Sequence, residues 1–268
     1  MNNTITKSDF STISAATHKT KVEKLLTKLI YNAVLFSFIT SIFYSVYNLA
    51  VLAQTNNATN HSYNHSQSDY VLMLLQCIAG LAVIHLPIIL EKCFKVNIPS
   101  AMQIFFSIFL FCAVFLGEVT SFYYLIPHWD DILHGSSGIM TGLLGFMLIA
   151  VLNKKQKANL NISPFFMAMF AFCFAIAIGT VWEIYEFGMD AVLGLNMQKA
   201  VLENGEALIG HLAVVDTMKD IIVDTCGAFT AAAVGYISLK HKKGWVHNYI
   251  NNNANTAIKS NNQYNKAA

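Results

Sequence analysis

Arginine is absent from this 268-residue chain, and all seventeen basic residues are lysines. Charged residues make up only 12% of the chain, against about 25% in a soluble domain, while 55% of the residues are hydrophobic. The lack of arginine excludes a bidentate guanidinium clamp on phosphate or carboxylate. The net charge of +2 is too small to suggest nucleic-acid binding. The shortage of charge therefore predicts a polytopic membrane protein.

Cysteine is also scarce, and its five copies form no Cys-x-x-Cys pair. Four of them fall in apolar segments, where small buried thiols are common, and Cys93 falls in a short loop that contains lysine. We expect no disulfide bonds, and the absence of thiolate pairs argues against soft metals. No cleavable signal is evident, because the first apolar run begins near Leu29 after a polar stretch.

Long apolar runs dominate the rest of the chain. A helix needs roughly 20 apolar residues to cross a bilayer, and six runs qualify, at 29–53, 70–90, 101–126, 132–152, 164–186 and 219–239. The sequence thus predicts an all-α membrane protein with one six-helix domain. We expect this domain to cover residues 29–240, between an N-terminal tail (1–28) and a C-terminal tail (241–268) that is disordered after Lys243. The tail before Lys19 is expected to be disordered too.

The distribution of lysine predicts the orientation in the membrane. Fifteen of the seventeen lysines fall in the two tails and in the loops after the second and fourth runs; only Lys199 and Lys219 fall on the other side. The positive-inside rule then places both termini in the cytoplasm of a bacterium, which agrees with an even number of spans. The first outer loop carries His61 and His65, which we interpret as a solvated loop and not as a metal site.

Carboxylates concentrate on the lysine-poor side, where twelve of the fifteen are found. An ionisable group inside a bilayer is costly, so each one there is a functional-site hypothesis. In the sixth run Asp216, Asp220 and Asp224 recur every four residues and share one face. Asp216 has an alternative interpretation as a helix N-cap. Asp224 lies two turns deeper and needs a partner.

The fourth and fifth runs add further acids. Three of them share a face near the end of the fifth run: Glu183, Glu186 and Asp190. The helix dipole disfavours negative charge at that end. Asp130 and Asp131 open the fourth run as first-turn acids or an N-cap, and His134 follows one turn later. An Asp-x-x-His pair resembles half of a carboxylate–histidine metal site.

Several carboxylates cannot all stay ionised at close range in a low dielectric, so a compensating cation is expected. Carboxylate and imidazole ligands suit Zn, Mn, Fe or Mg. The expected metal ligands are Asp131, His134, Glu183, Glu186, Asp220 and Asp224. The expected catalytic residues are Glu186, Asp220 and Lys219. In this hypothesis a carboxylate acts as general base towards a metal-bound water, and Lys219 is the counter-ion or the head-group contact.

The order of these motifs resembles the YjdF-like family of uncharacterised bacterial inner-membrane proteins. The stretches that carry the resemblance are Asp-x-x-x-His at 130–134, Glu-x-x-Glu at 183–186, Gly-x-x-x-Gln at 194–198, the aspartates at 216–224 and Gly-Ala at 227–228. Met218 stands where the family pattern has glutamine. The resemblance implies a multi-helix bacterial membrane protein and supplies no reaction.

Three functions remain open at this stage. The first is a metal-dependent intramembrane hydrolase that acts on a lipid or lipid-linked substrate at the outer leaflet. The second is a cation- or proton-coupled transporter, although the inner halves of the last three runs are apolar and no inverted repeat is evident. The third is a structural or accessory protein whose polar groups join helices. Membrane lipid is the expected partner, and the oligomeric state is open.

Overall fold

The computed structural model describes residues 7–54, 66–94, 98–155, 162–202 and 206–251, with side chains from residue 21 onward except at 94 and 153–155. His61, His65 and the end of the C-terminal tail therefore lie outside the described residues. The elements are α1 (Lys7–Gln54), α2 (Gln67–Val83), α3 (Leu86–Phe94), α4 (Ser100–Leu110), a π-helical segment (Phe111–Val119), α5 (Phe122–Leu125), α6 (Trp129–Lys155), α7 (Pro164–Leu193) and α8 (Leu212–Lys240).

Within the described residues, six helical stretches are long and apolar enough to cross a membrane. Extended structure in the described residues is limited to an isolated bridge between Val201 and Ala207. These observations confirm the predicted all-α, six-span fold class. The cytoplasmic location of the termini stays a prediction.

The second and third spans are less regular than the hydropathy indicates. The second span breaks after Val83, since the ring of Pro87 clashes with the carbonyl of the residue four positions earlier and Pro87 has no N–H to donate. The third span changes to a π-helix after Leu110 and stops at Ser121, which has a left-handed φ of 62°. Single-turn π-helical widening is common at functional sites, and this segment carries Glu118.

α7 ends later in the chain than predicted, and α8 begins earlier than predicted. α7 continues to Leu193 and is capped by Gly194, whose φ of 65° favours glycine. α8 begins at Leu212, so Asp216 lies inside the helix and not at its N-cap. At the opposite end of the bundle, residues 245–251 are helical and Val246 is buried in the core. The C-terminal segment therefore packs on the bundle at least as far as residue 251.

The helices form two bundles that meet along α6. One bundle contains α1, α2, α4 and the π-helical segment, with a core around Phe38, Cys77 and Leu110. The other contains α6, α7 and α8, with a core around Phe146 and Ala171. Because α6 also packs against α4 and the π-helical segment, it lines both the second bundle and the junction between the two.

Glycines bring α6 and α8 into backbone contact. A Cβ at Gly138 would overlap the carbonyl oxygen of Asp224, and a Cβ at Gly227 would overlap the carbonyl oxygen of Gly135. Small residues at such positions let membrane helices approach closely. This close approach places the acidic face of α8 directly beside His134 of α6.

Candidate functional site

His134 lies at the centre of a buried polar cluster between α6, α7 and α8, and it is only 7% exposed. Its Nδ1 lies 3.1 Å from Oδ2 of Asp224. Its Nε2 lies 3.8 Å from an oxygen of Asp130 and 3.9 Å from an oxygen of each of Glu183 and Asp220. One imidazole is therefore surrounded by four carboxylates from three helices.

Asp224 orients this imidazole. One of its oxygens pairs with Nδ1 of His134, and the other accepts the hydroxyl proton of Ser137 at 2.6 Å. A carboxylate at Nδ1 favours a ring proton there, and Nε2 then faces Asp130 and Asp220. Metal-binding histidines are typically held by this kind of carboxylate contact.

Gly179 of α7 gives Asp224 the space it needs. A Cβ at this glycine would lie 2.5 Å from Oδ2 of Asp224 and 3.0 Å from its Cγ. Any larger side chain would therefore push against the carboxylate that holds His134. The geometry of the cluster thus depends on Gly179, although a glycine has no side chain that could bind a ligand or a metal.

Three side chains offer ligand atoms that converge. One atom each of Asp130, His134 and Asp220 lies within 4.8 Å of the other two. Zn ligand distances are about 2.0–2.2 Å for nitrogen and oxygen donors, so a small inward movement would let these three donors hold one ion. We call these three residues the donor group.

Glu183 adds a carboxylate without hydrogen bonds beside the donor group. Its side chain is buried, with 3% exposure of the residue, and neither oxygen has a hydrogen-bond partner among the described residues. Oδ2 of Asp216, one turn above Asp220, is buried without a described hydrogen-bond partner as well. A buried carboxylate without a partner is costly unless a proton or a cation neutralises it.

A lysine that the motif analysis did not select lies near the site. Lys199 belongs to the loop between α7 and α8 and has a left-handed φ of 50°. Its ammonium donates to the carbonyl of Met197 at 3.1 Å and lies 4.6 Å from the ring centroid of Tyr123. The sequence does contain a signal for it, because Lys199 is one of only two lysines on the acidic side. The other one, Lys219, is the residue that we expected to be the counter-ion.

Asp190 folds this loop back into the bundle. Its two carboxylate oxygens accept the backbone N–H groups of Met197 at 2.7 Å and Gln198 at 2.9 Å. The side chain of Gln198 in turn donates to the hydroxyl of Thr217 on α8 at 2.7 Å. Asp190 therefore shapes the loop that carries Lys199 and is not part of the donor group.

The acids around Lys199 keep its ammonium charged. Burial alone would lower the pKa of Lys199, but the negative charges of Asp130, Glu118 and Glu186 outweigh burial and raise the pKa well above its usual range. Burial has the opposite effect on the neighbouring Tyr123 hydroxyl: it raises the pKa, and the hydroxyl stays neutral. Lys199 thus supplies a fixed positive charge at this end of the protein.

The predicted ligands divide between two sides of α6. His134, Glu183, Asp220 and Asp224 come together as described. Asp131 instead pairs with Lys219 at 2.7 Å and with Nδ1 of His128 at 2.7 Å, and the Lys219 side chain is 46% exposed. Asp130 contributes the oxygen that had been expected from Asp131.

Glu186 lies near the donor group but does not join it. It accepts the indole N–H of Trp182 at 2.9 Å, one turn earlier on α7. Its side chain is buried and faces a cavity that also reaches Asp130, His134 and Lys199. Of the three expected catalytic residues, Glu186 and Asp220 therefore surround the buried site, and Lys219 lies on its outer edge.

The cavity extends from this acidic end between the two bundles and has a volume of about 440 Å³. Its charged residues are confined to one end: Glu118, Asp130, His134, Glu186, Lys199 and Asp224. Most of the remaining lining is apolar, from Val114 and Leu133 down to Leu90 and Met102. The site is thus the polar end of a mainly hydrophobic cavity.

Comparison with known proteins identifies the family. The family model described as "Predicted membrane protein (DUF2238)" matches residues 49–241, and the chain belongs to this family. An uncharacterised protein of Thermotoga maritima is 28% identical over 151 residues, which cover 56% of this chain and 69% of that protein. No solved structure matches significantly. The narrower YjdF-like assignment is consistent with these matches and stays a prediction.

Replacing Lys199 by methionine should destabilise the protein more than the same change at Lys219. Lys199 is partly buried, and its charge is attracted by the nearby carboxylates of Asp130, Glu118 and Glu186. The Lys219 side chain is 46% exposed, and exposed pairs like its own contribute about 0–1 kcal/mol. A raised lysine pKa stabilises the fold at all pH values below its ordinary value. The lower melting temperature of Lys199→Met should be measurable at pH 9, where the surrounding acids are most ionised, and equal melting temperatures of the two variants would contradict the electrostatic role of Lys199.

Proposed function

For this member of the DUF2238 membrane proteins, we propose a divalent-cation site that serves the hydrolysis of a lipid or lipid-linked substrate. The proposal rests on one observation: the donor group converges beside Glu183, whose two buried oxygens lack hydrogen-bond partners in the described part of the chain. A bound cation would compensate these charges. Oxygen and imidazole donors suit Mn, Zn or Fe.

The residues have separable roles in this proposal. Asp130, His134 and Asp220 hold the cation, and Asp224 fixes the imidazole through Nδ1. A divalent cation supplies a Lewis acid that polarises a substrate oxygen and acidifies water. Glu183 can accept the proton of the attacking water, because neither of its oxygens accepts a hydrogen bond in the described structure.

The position of the site favours a membrane substrate over transport. Asp130 and His134 lie in the first two turns of α6 and Asp220 lies in the third turn of α8. This is the lysine-poor end of the spans, which is the outer side if the positive-inside rule holds. This depth suits the head group of a lipid. A transport pathway needs polar residues further along the span, whereas the lining beyond Ser137 and Thr141 is mostly apolar.

Asp130→Asn should abolish stoichiometric cation binding, and Asp131→Asn should not. Both changes remove one carboxylate from the first turn of α6, but only Asp130 belongs to the donor group. Loss of a direct ligand should weaken binding by about 100-fold or more, since even outer partners contribute 10–100-fold. The measurement is elemental analysis of purified protein together with Mn²⁺ titration.

His134→Gln and Asp220→Asn should behave like Asp130→Asn in the same titration. A fully folded wild-type protein that takes up no divalent ion would overturn the cation site. Equal losses in Asp130→Asn and Asp131→Asn would show that the charge of the first turn matters and the geometry does not.

Gly179→Ala should weaken Mn²⁺ binding by about 10–100-fold without removing a ligand. The added methyl would lie 2.5 Å from Asp224 Oδ2 and would displace the carboxylate that orients His134. Gly188→Ala on the same helix is the matched control, because a Cβ there meets nothing within 4 Å. Unchanged affinity in Gly179→Ala would contradict the orienting role of Asp224.

Glu183→Gln should keep the bound cation and lose hydrolysis. The test incubates Mn²⁺-loaded protein in nanodiscs made from a total bacterial lipid extract and follows lipid products by mass spectrometry. The wild type should release head-group fragments that Glu183→Gln and EDTA-treated protein do not. If the cation-loaded wild type changes no lipid, the proposal of lipid hydrolysis is wrong, and the proposal of a cation site is unaffected.

A further inference from the structure

The two ends of the cavity have opposite character. At one end lie the ammonium of Lys199, the donor group residues Asp130 and His134, and Glu186. At the other end the wall consists of apolar side chains such as Leu90, Ile98 and Met102. A wholly polar ligand would leave most of this wall without matching contacts, so the cavity suits an amphiphile.

The cavity is deep along two helices. On α6 its lining runs from Asp130 to Leu144, fourteen residues or about 21 Å of helix. On α4 and the π-helical segment it runs from Glu118 to Met102, a similar length of about 24 Å. One leaflet contributes about half of the ~30 Å hydrocarbon core. The cavity is therefore deep enough for an extended hydrocarbon chain.

Part of the cavity lining also lies on the surface of the protein. Four of its lining residues are also exposed on the protein surface: Val83 (40%), Leu86 (39%), Ile178 (43%) and Trp182 (46%). They belong to the junction of α2 with α3 and to α7, which come from different bundles. All four lie within candidate membrane spans, so this side faces lipid and not water.

We infer that the cavity binds one hydrocarbon chain of a lipid whose anionic head group lies between Lys199 and the donor group. This inference rests on the proposed function, because a cation at the donor group offsets the acids that would otherwise repel an anion. Lys199 has three N–H donors, and its described hydrogen bond uses one of them, on the carbonyl of Met197. The remaining donors are suited to a phosphate or carboxylate oxygen.

The test uses hexadecyl phosphate that carries a photoreactive diazirine in the second half of its chain. Full-length protein in nanodiscs is loaded with Mn²⁺, irradiated with the probe and digested for mass spectrometry. Labelling should fall on cavity residues such as Leu110, Met140 and Leu144. Labelling confined to the lipid-facing residues Phe105 and Ile108 of α4 would overturn the inference.

A cavity-filling variant separates this site from the surrounding lipid. Ala113 lines the cavity, so Ala113→Phe should reduce the labelling of Met140 and Leu144 by about tenfold or more. Ala101→Phe is the matched control, since Ala101 is exposed on α4. Both variants must keep the wild-type melting temperature. If Ala113→Phe does not, Leu144→Phe, which adds less volume, replaces it, and labelling is then scored at Met140. Unchanged labelling in a folded cavity-filling variant would overturn the inference.

The head-group half of the inference is tested at Lys199. Lys199→Met should weaken labelling by hexadecyl phosphate about tenfold, as expected for loss of a charge-assisted hydrogen bond. Labelling by hexadecanol with the same diazirine should not change, and neither should hexadecyl phosphate labelling in Lys219→Met. In a Lys199→Met protein that remains folded at the labelling temperature, equal effects on both probes would overturn the assignment of the head group. If inorganic phosphate abolished the labelling by competition, the hydrocarbon chain of the probe would contribute nothing to binding, and the inference would be overturned.

Cation content is measured on the same samples, which keeps the two proposals apart. A cation-loaded protein whose cavity is not labelled overturns the chain site and leaves the proposed function. A protein without cation overturns the proposed function, and its hexadecanol labelling still decides whether the cavity holds a chain.

Discussion

The hydrogen bond between Nδ1 of His134 and Asp224 is the contact on which the site depends. It joins α6 to α8 inside the bundle and turns Nε2 towards Asp130 and Asp220. It forms only because glycines let the two helices touch and because Gly179 leaves room for the carboxylate. Packing and chemistry are therefore linked in the same few residues.

Electrostatics sets the second constraint. The lysine-poor end gathers buried carboxylates that cannot all remain ionised without compensation. Lys199 supplies one fixed positive charge, and its pKa is raised because the surrounding acids outweigh its burial. Glu183 is left without a hydrogen-bond partner among the described residues. The remaining deficit of positive charge is the reason for the proposed divalent cation.

The irregular parts of the fold serve the cavity. The break before Pro87 and the π-helical segment around Glu118 both lie in the first bundle, on the wall that faces α6 and α7. A straight helix in either place would bring different side chains to this wall. Asp190 similarly shapes the loop that carries Lys199 into the acidic end. The second bundle supplies the proposed ligands, and the first bundle supplies most of the apolar wall.

The amino-acid sequence alone determined the class of protein, the six spans and the acidic end, because hydropathy and i, i+4 spacing are local properties. Local spacing could not separate Asp130 from Asp131, since both lie within one turn of His134. It also favoured Lys219, which the structure pairs with Asp131 at the exposed edge, over Lys199. These choices depend on which side of α6 packs against α7 and α8 and on how a loop folds back. Only tertiary contacts between residues distant in the chain decide them.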